Sequence, residues 1–586
     1  MSSLNIDIII VTYNSAKWIY KCLESIAFTR YNHKNIFLTI VDNDSCDDSI
    51  RIAEDFDKAS IFGGFNILKE KHNHGFGKGN NIGVKNSCQD YILLLNVDTE
   101  LEPDSLQFLV NRVIKSDGNI ALWELRQFPY EHPKIYNPLT FETSWSSAAA
   151  CLIKRSAYLE IGGFDEQIFM YGEDVDLSWR LKEKGYKLVY VPESTVYHFT
   201  FDRKQSEKEK PDQYYYSVFS NLLLRYKFGS FFDVIKGYLL CILLILKGRQ
   251  INRIRLLALL SNSIPKGVTI RKGRKGKRMP FWGRGRNGDL YKFKIWDYEI
   301  ERLGAKYKNT PVNGNPLVSV IVRTCNRPQM LREALLSIKN QTYKHIEIIV
   351  IEDGQNFAES LIQVEFFDLA IKYVATGMKV GRTKAANLGL SLAKGEYFNF
   401  LDDDDLFYPD HIEVLLSALT NNSNYLVAYS LAFETPISVQ VSETRNIKYN
   451  LIFNERFNIL TLLERNFLPI QTVMFSGRLY KQFGGLDEAL DVLEDWHLWL
   501  KYAFKCNSFL FIPKITSLYK VPPNRRDRKR RKDFFKNASM QVYKLIQQEY
   551  LTIKVEDYKN YKEQNAKIRK FKDKLIRQFN NFLRNY

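Results

Sequence analysis

The residues of this 586-residue chain that first invite a chemical reading are carboxylates placed directly after apolar runs. Asp402, Asp403, Asp404 and Asp405 follow Tyr397-Phe-Asn-Phe-Leu401, Asp42 closes a run that begins at Ile36, and Asp98 follows Leu93-Leu94-Leu95-Asn96. Carboxylates at the end of a buried strand are costly unless they are solvated, paired or bound to a cation. Hard oxygen donors of this kind suit Mg2+ or Mn2+, which bridge one or two carboxylates and substrate phosphates. The plainer alternative is helix capping, since Asp405 and Asp410 flank Pro409. Two acidic pairs, Glu173-Asp174 and Glu494-Asp495, stand further downstream. A positioned carboxylate that takes the proton of a hydroxyl nucleophile contributes roughly 10²–10⁴-fold, and a divalent cation neutralises a departing diphosphate. The glycines of His74-Gly-Phe-Gly-Lys78-Gly-Asn80-Asn81 would let backbone amides approach such a diphosphate. No Gly-Lys-Ser/Thr follows, so this is not a P-loop, and an ordinary loop before a helix is the competing reading. Gly381-Arg-Thr-Lys384-Ala-Ala-Asn387 keeps the basic residue and the asparagine.

Elements that would bring these groups together are legible as a duplication. Ile8-Ile-Ile-Val-Thr12-Tyr-Asn14 recurs as Val320-Ile-Val-Arg-Thr324-Cys-Asn326, and Gly162-Gly-Phe-Asp-Glu166 recurs as Gly484-Gly-Leu-Asp-Glu488. The strand ends at Asp42 and Asp353, the motifs at Asp98 and Asp404, and the two acidic pairs keep the same order. Related domains over residues 1–202 and 311–520 are the economical reading, with 203–310 a basic linker and 521–586 a basic tail. In the first copy the patterning predicts strands over 6–12, 36–42 and 91–96 and helices over 15–27, 47–56 and 103–115. That alternation implies an α/β fold with a mostly parallel sheet. Ligands bind such sheets at the carboxyl ends of the strands, where Asn14, Asp42 and Asp98 all fall.

These ordered motifs resemble the GT-A fold of glycosyltransferase family 2 in two tandem copies. The resemblance implies nucleotide-sugar donors and an inverting transfer. Thr12, Asn14, Asp42 and their counterparts Thr324, Asn326, Asp353 would then contact nucleobase and ribose. Asn96 and Asp98, with Asp402 and Asp404, resemble the D-x-D motif that holds the metal and diphosphate; His198 matches a position that contacts the metal or diphosphate in many relatives, a structural histidine being the alternative. Glu173-Asp174 and Glu494-Asp495 resemble the late acidic pair, whose aspartate is the general base. Copy one carries Asn96 where a two-carboxylate motif has Asp, and with Trp145 to Cys151 and Tyr171 to Trp179 it resembles rhamnosyltransferases that use dTDP-rhamnose and build surface polysaccharide on a lipid-linked acceptor. Copy two has His497 where copy one has Asp176, and its Tyr519-Lys-Val-Pro522 offers no counterpart of His198. One active domain beside a non-catalytic sugar- or acceptor-binding one is the alternative organisation.

Charge adds a surface. The chain carries 84 basic and 66 acidic residues, a formal +18, yet residues 203–310 alone hold 25 basic against 8 acidic and residues 521–586 hold 19 against 7. Lys266 to Arg286 supplies nine basic residues and no acidic one, a density suited to anionic lipid. Residues 214–262 mix long aliphatic runs with Arg225, Lys227, Lys236, Lys247, Arg249, Arg253 and Arg255, consistent with helices in a bilayer interface; a buried helical bridge is the alternative. The longest uncharged apolar run, Gly237 to Leu246, is too short to span a bilayer. No nucleic-acid-binding module accompanies the charge. Seven scattered cysteines form no C-x-x-C pair, which points to a reducing compartment. With no secretory signal at the start, a cytoplasmic protein peripheral at the inner face of the membrane is expected.

Overall fold

The computed structural model describes residues 3–57, 61–132, 134–199, 211–247, 250–273, 302–304, 307–436, 450–490, 492–506, 509–522, 525–549 and parts of 551–566. The cationic residues between 274 and 301, on which much of the expected lipid affinity rests, lie outside the described residues. The chain divides into two compact units between Asn309 and Thr310.

Unit 1 opens with β1 (Ile6–Thr12), α1 (Ile19–Ala27), β2 (Ile36–Asp42), α2 (Ser49–Asp57), β3 (Gly64–Lys69) and α3 (Phe76–Lys85). It continues through β4 (Tyr91–Leu95), β5 (Thr99–Leu101), α4 (Ser105–Ile114), β6 (Ile120–Phe128), β7 (Glu142–Thr143), β8 (Ala150–Lys154), α5 (Arg155–Glu160), α6 (Glu173–Glu183) and β9 (Lys187–His198). Three helices follow: α7 (Pro211–Phe228), α8 (Phe231–Lys247) and α9 (Gln250–Gly273). The sheet runs β3-β2-β1-β4-β8-β6-β9-β5, with β7 on β9. Strands β3, β2, β1 and β4 are parallel, and Ile6, Ile8, Ile9 and Ile10 of β1 are all buried, as expected where helices cover both faces. Strand β8 runs antiparallel to β4 and β6, so the sheet is mixed beyond the site. Helix α3 approaches the sheet closely because it carries Gly83: a Cβ there would meet Ile9 Cγ2 at 2.4 Å.

Unit 2 repeats the plan with β10 (Val318–Thr324), α10 (Pro328–Lys339), β11 (Ile346–Glu352), α11 (Glu359–Glu365), β12 (Ile371–Ala375), α12 (Arg382–Leu392), β13 (Tyr397–Asp402), β14 (Leu406–Phe407) and α13 (His411–Thr420). Next come β15 (Val427–Pro436), β16 (Asn450–Ile452), α14 (Ile459–Glu464), β17 (Val473–Ser476), α15 (Gly477–Phe483), α16 (Glu494–Cys506), β18 (Leu510–Val521) and α17 (Arg525–Ile546). Its order, β12-β11-β10-β13-β17-β15-β18-β14, is that of unit 1.

Each sheet is completed by the helix that follows it. Val218, Leu222, Leu223, Leu224 and Phe228 of α7 share one core with Trp145, Val175 and Trp179. Val542 and Ile546 of α17 join Trp496 and Trp499 in the same way. Burying a large apolar side chain contributes roughly 1.5–3 kcal/mol, so these helices are structural parts of the units they follow. The aliphatic run of α7 is therefore core of unit 1. Helix α8 differs: Phe232, Ile235, Leu239, Ile242, Leu243 and Leu246 recur at helical spacing and are exposed, while Val234 and Cys241 face inward. No helix among the described residues is long and apolar enough to cross a membrane.

Candidate active site

In unit 1 the parallel strand ends converge. Thr12 and Asp42 are register partners on β1 and β2. Asn14 adopts φ 50°, a left-handed conformation that asparagine tolerates. Its Oδ1 accepts from the Cys46 amide at 2.9 Å, and its own amide donates to Ser45 Oγ at 2.9 Å. The Ser45 amide in turn donates to Asp42 Oδ2 at 3.1 Å, knitting the two loops. Thr12 Oγ1, Asp42 Oδ1, Asn43 Oδ1 and Asn96 Oδ1 are buried with no protein hydrogen-bond partner. Buried polar atoms are seldom left unsatisfied, so these four call for an ordered water or a ligand as partner. Asn43, not singled out from sequence, also donates to the Gly75 carbonyl at 3.1 Å and so ties the strand end to the glycine loop.

The Asn96-Val97-Asp98 motif and the acidic pair meet through two consecutive residues. The Asn96 amide donates to the Ala149 carbonyl at 2.8 Å, and a backbone hydrogen bond joins Ala148 to Asp174. Glu173 and Asp174 open α6, where the helix dipole favours negative charge. Burial nevertheless pushes both above the ordinary carboxylate range, with their mutual repulsion raising Glu173 further. Asp174 Oδ1 accepts from the Val175 amide at 2.8 Å. Lys134 adds a cation that sequence reasoning missed: it is buried against Glu124, lies 5.4 Å from the Trp145 ring centre and holds the Asp174 charge electrostatically. Its signal was absent because the pairing joins a loop to strand β6, far from any motif.

His198, on the strand beside β5, directs Nε2 to within 3.3 Å of Asp98 Oδ2. Its Nδ1 lies 2.9 Å from Gln127 Oε1. A carbonyl oxygen only accepts, so Nδ1 donates to Gln127 and Nε2 is the ring nitrogen that faces the carboxylate. A protonated ring pairs directly with Asp98 there, and an imidazole and a carboxylate side by side are also donor types that bind divalent ions; among the described residues no third His, Cys, Asp or Glu joins them as a metal ligand. Other predicted residues are used internally. Lys78 lies 3.6 Å from Glu166 at the surface, and Asn80 bonds the Phe76 carbonyl within its own helix. Its neighbour Asn81 accepts from the Phe164 amide and Tyr158 hydroxyl, which holds α3 to the Gly162-Gly163 loop.

Unit 2 keeps the arrangement and fills it differently. Arg323 replaces Val11 on the first strand and is 8% exposed. It donates Nε and Nη2 to the two Asp402 oxygens at 2.8 and 2.9 Å, and Nη1 to Glu494 Oε1 at 2.8 Å. Arg327 pairs with Asp403 and reaches Asp404 Oδ2 at 3.4 Å. Thr324 donates to Asp403 at 2.7 Å, and Asp353 accepts from the Val380 and Gly381 amides at 2.6 and 3.1 Å. Asn387 occupies the place of Asn81, bonding Leu486 through both ends of its amide. Lys384 and Arg382 are exposed on the first turn of α12, with Arg382 Nη1 3.9 Å from Glu494. Asn326 repeats the positive φ of Asn14 at 52°. Asp495 accepts from Asn466 at 3.0 Å and from the Trp496 amide at 2.8 Å, and burial raises its pKa. The sequence leads one to expect a cation at the Asp402–Asp404 run; in the structure two guanidinium groups already lie there.

The family model described as glycosyl transferase family 2 matches residues 7–172 and 319–483, more than half of the chain, and a model for glycosyl transferase family group 2 matches 91–265. An uncharacterized glycosyltransferase of Rickettsia typhi is 31% identical over 196 residues, covering 32% of this chain and 59% of the relative. One from Rickettsia prowazekii is 30% identical over 205 residues, covering 34% of this chain and 61% of the relative. One from Haemophilus influenzae is 29% identical over 208 residues, covering 34% and 81% respectively. The chain thus spans about three fifths of the length of the two rickettsial relatives. Among solved structures, a mannosyltransferase from Pyrobaculum calidifontis in complex with GDP-Man and Mn2+ superimposes at TM-score 0.33 with 12% identity, over 46% of this chain and 85% of that one. Residues 1–349 of S. aureus TarS with UDP-GlcNAc give TM-score 0.32 with 13% identity, over 45% and 81%.

Proposed function

The chain belongs to glycosyltransferase family 2, and from that premise we propose that it is a bifunctional inverting enzyme with one nucleotide-sugar site in each unit. The observation that carries this reading is the same in both: the diphosphate motif is tied directly to the acidic pair, through Ala148-Ala149 in unit 1 and through Arg323 in unit 2. In unit 1, Thr12, Asp42, Asn43 and Asn96 would take the nucleotide end of the donor with the buried atoms that the protein leaves unpaired. Asp174, and Asp495 in unit 2, would accept the proton of the acceptor hydroxyl as it attacks the anomeric carbon. A buried carboxylate with a raised pKa is a stronger base than an exposed one and suits that role. Lys134 would keep Asp174 oriented and ionised beside protonated Glu173. Asp98 and His198 would hold the divalent cation, which supplies charge neutralisation to the leaving diphosphate.

The donor of unit 1 is read as dTDP-rhamnose and the acceptor as a lipid-linked oligosaccharide of a bacterial surface polysaccharide. The exposed apolar face of α8, flanked by exposed Lys236, Lys266 and Lys272, supports docking on an anionic membrane at the cytoplasmic side. A second reading, in which only unit 1 transfers sugar, draws support from Tyr519, which stands in unit 2 where unit 1 has His198, and from the pairing of Arg327 with Asp403. Nucleoside-diphosphate release from a panel of nucleotide sugars, measured for the full chain and for Asp174→Asn and Asp495→Asn, tests both. Two donors, each lost with one substitution, support the bifunctional reading. A single donor insensitive to Asp495→Asn supports the second reading, and no release from any donor overturns both.

A further inference from the structure

The two units present their acidic motifs to different cations. In unit 1, Asp98 lies 3.3 Å from His198 Nε2, and residue 11, on the adjacent strand, is an uncharged valine. In unit 2 the register of β14 on β18 pairs Leu406 with Leu518, which puts Tyr519 where His198 stands on β9. The imidazole is therefore gone. Two guanidinium groups are present instead: Arg323 takes both Asp402 oxygens and a Glu494 oxygen, and Arg327 takes Asp403 and leans on Asp404.

From this contrast, and resting on the proposed function, in which Asp98 and His198 hold the cation of unit 1, we infer that the Asp402–Asp404 run of unit 2 takes no divalent ion because Arg323 and Arg327 occupy its place. A guanidinium is permanently protonated and matches a carboxylate in a two-pronged geometry that a hydrated divalent ion must break in order to bind. Arg323 is held by four charge-assisted contacts at 2.7–2.9 Å and is nearly buried, so displacing it would leave an unpaired charge inside the unit. Arg327, at 44% side-chain exposure, stands at the mouth of the same cluster. There it can move from Asp404 toward an incoming diphosphate, as arginine does in phosphate recognition generally.

Counting bound Mn2+ on the full chain by electron paramagnetic resonance, with Mn2+ alone and with UDP or GDP added, tests this without relying on turnover. The expected result is one Mn2+ per chain, lost in Asp98→Asn and in His198→Asn and retained in Asp404→Asn. Arg327→Gln, which frees Asp403 and Asp404, should raise the count toward two. Two bound ions in the unaltered chain, loss of the single ion in Asp404→Asn, or no bound ion at all would overturn the inference. A count unchanged by Arg327→Gln would also overturn the claim that arginine excludes the metal. Because these readouts need no donor turnover, they separate failure of this inference from failure of the transferase reading, which only nucleotide release addresses.

Discussion

Lys227 of α7 places its ammonium 2.5 Å from Asp176, two residues beyond the proposed base Asp174, and 2.6 Å from Asp165. Both Lys227 and Asp176 are buried. The contact makes the helix after the sheet a support of the acidic helix α6, alongside Arg180, whose Nε donates to Asp176 at 2.7 Å. In unit 2 the equivalent of Asp176 is His497, a buried side chain whose pKa burial lowers, and α17 supports α16 by apolar contact through Trp496 and Tyr543.

Removing Lys227 should therefore weaken unit 1 from within. Lys227→Met leaves the buried Asp176 with only Arg180 of its two cations, at a cost on the order of 3 kcal/mol. Chemical denaturation should show the loss. A fragment ending at residue 202, which lacks α7, should fail to fold cooperatively, whereas one ending at residue 273 should fold.

The pH dependence of transfer follows from burial of the bases. As the proposed bases, Asp174 and Asp495 would act only when ionised, and desolvation holds both above the ~4 of an ordinary aspartate. A raised pKa means that protonation sets in at higher pH. The acidic limb of kcat/KM should accordingly fall through a midpoint well above 4. Lys134→Met, which removes a cation that favours the ionised Asp174, should move the unit 1 midpoint upward and leave that of unit 2 in place. A midpoint near 4, or an unshifted one in Lys134→Met, would contradict this assignment.

Membrane docking is predicted to depend on the exposed stripe of α8 as well as on charge. Leu239→Ser, Leu243→Ser and Leu246→Ser together remove three exposed leucines without touching the α7 core. Each buried leucine contributes roughly 1.5–3 kcal/mol, so flotation with anionic vesicles should drop by more than tenfold while nucleotide release in solution is unchanged. Raising salt should weaken flotation further through the lysines. Equal flotation of variant and parent would remove α8 from the docking surface.

How much of this was legible in the sequence depends on the range of the interaction. Strands 6–12 and 36–42 appear at the predicted bounds because runs such as Ile8-Ile9-Ile10 form buried parallel strands by local preference and burial alone. The first helix begins at Ile19 rather than residue 15, because Ser15 is held in the preceding turn by Ser49. The late acidic pair was readable from its repeated spacing. Its environment was not: Lys134 and Arg323 reach their partners across tens to hundreds of residues, and no local pattern marks them. Leu222–Leu224 carried an ambiguous signal, since a bilayer and a protein core reward the same apolar run, and only packing on Trp145 and Trp179 decides it. Asn387 matched Asn81, not Asn80, and the loop it holds became visible only in three dimensions.

Whether each unit carries its own transfer base is tested by product analysis of the two single substitutions. Full-length protein with Asp174→Asn, and separately with Asp495→Asn, would be supplied with the donors that the unaltered chain turns over, and the linkages formed would be resolved by mass spectrometry. Asp174→Asn is expected to suppress one linkage and Asp495→Asn the other, each by at least the roughly 10²-fold expected of a lost general base. Full retention of every linkage in either variant would contradict the assignment of a base to each unit.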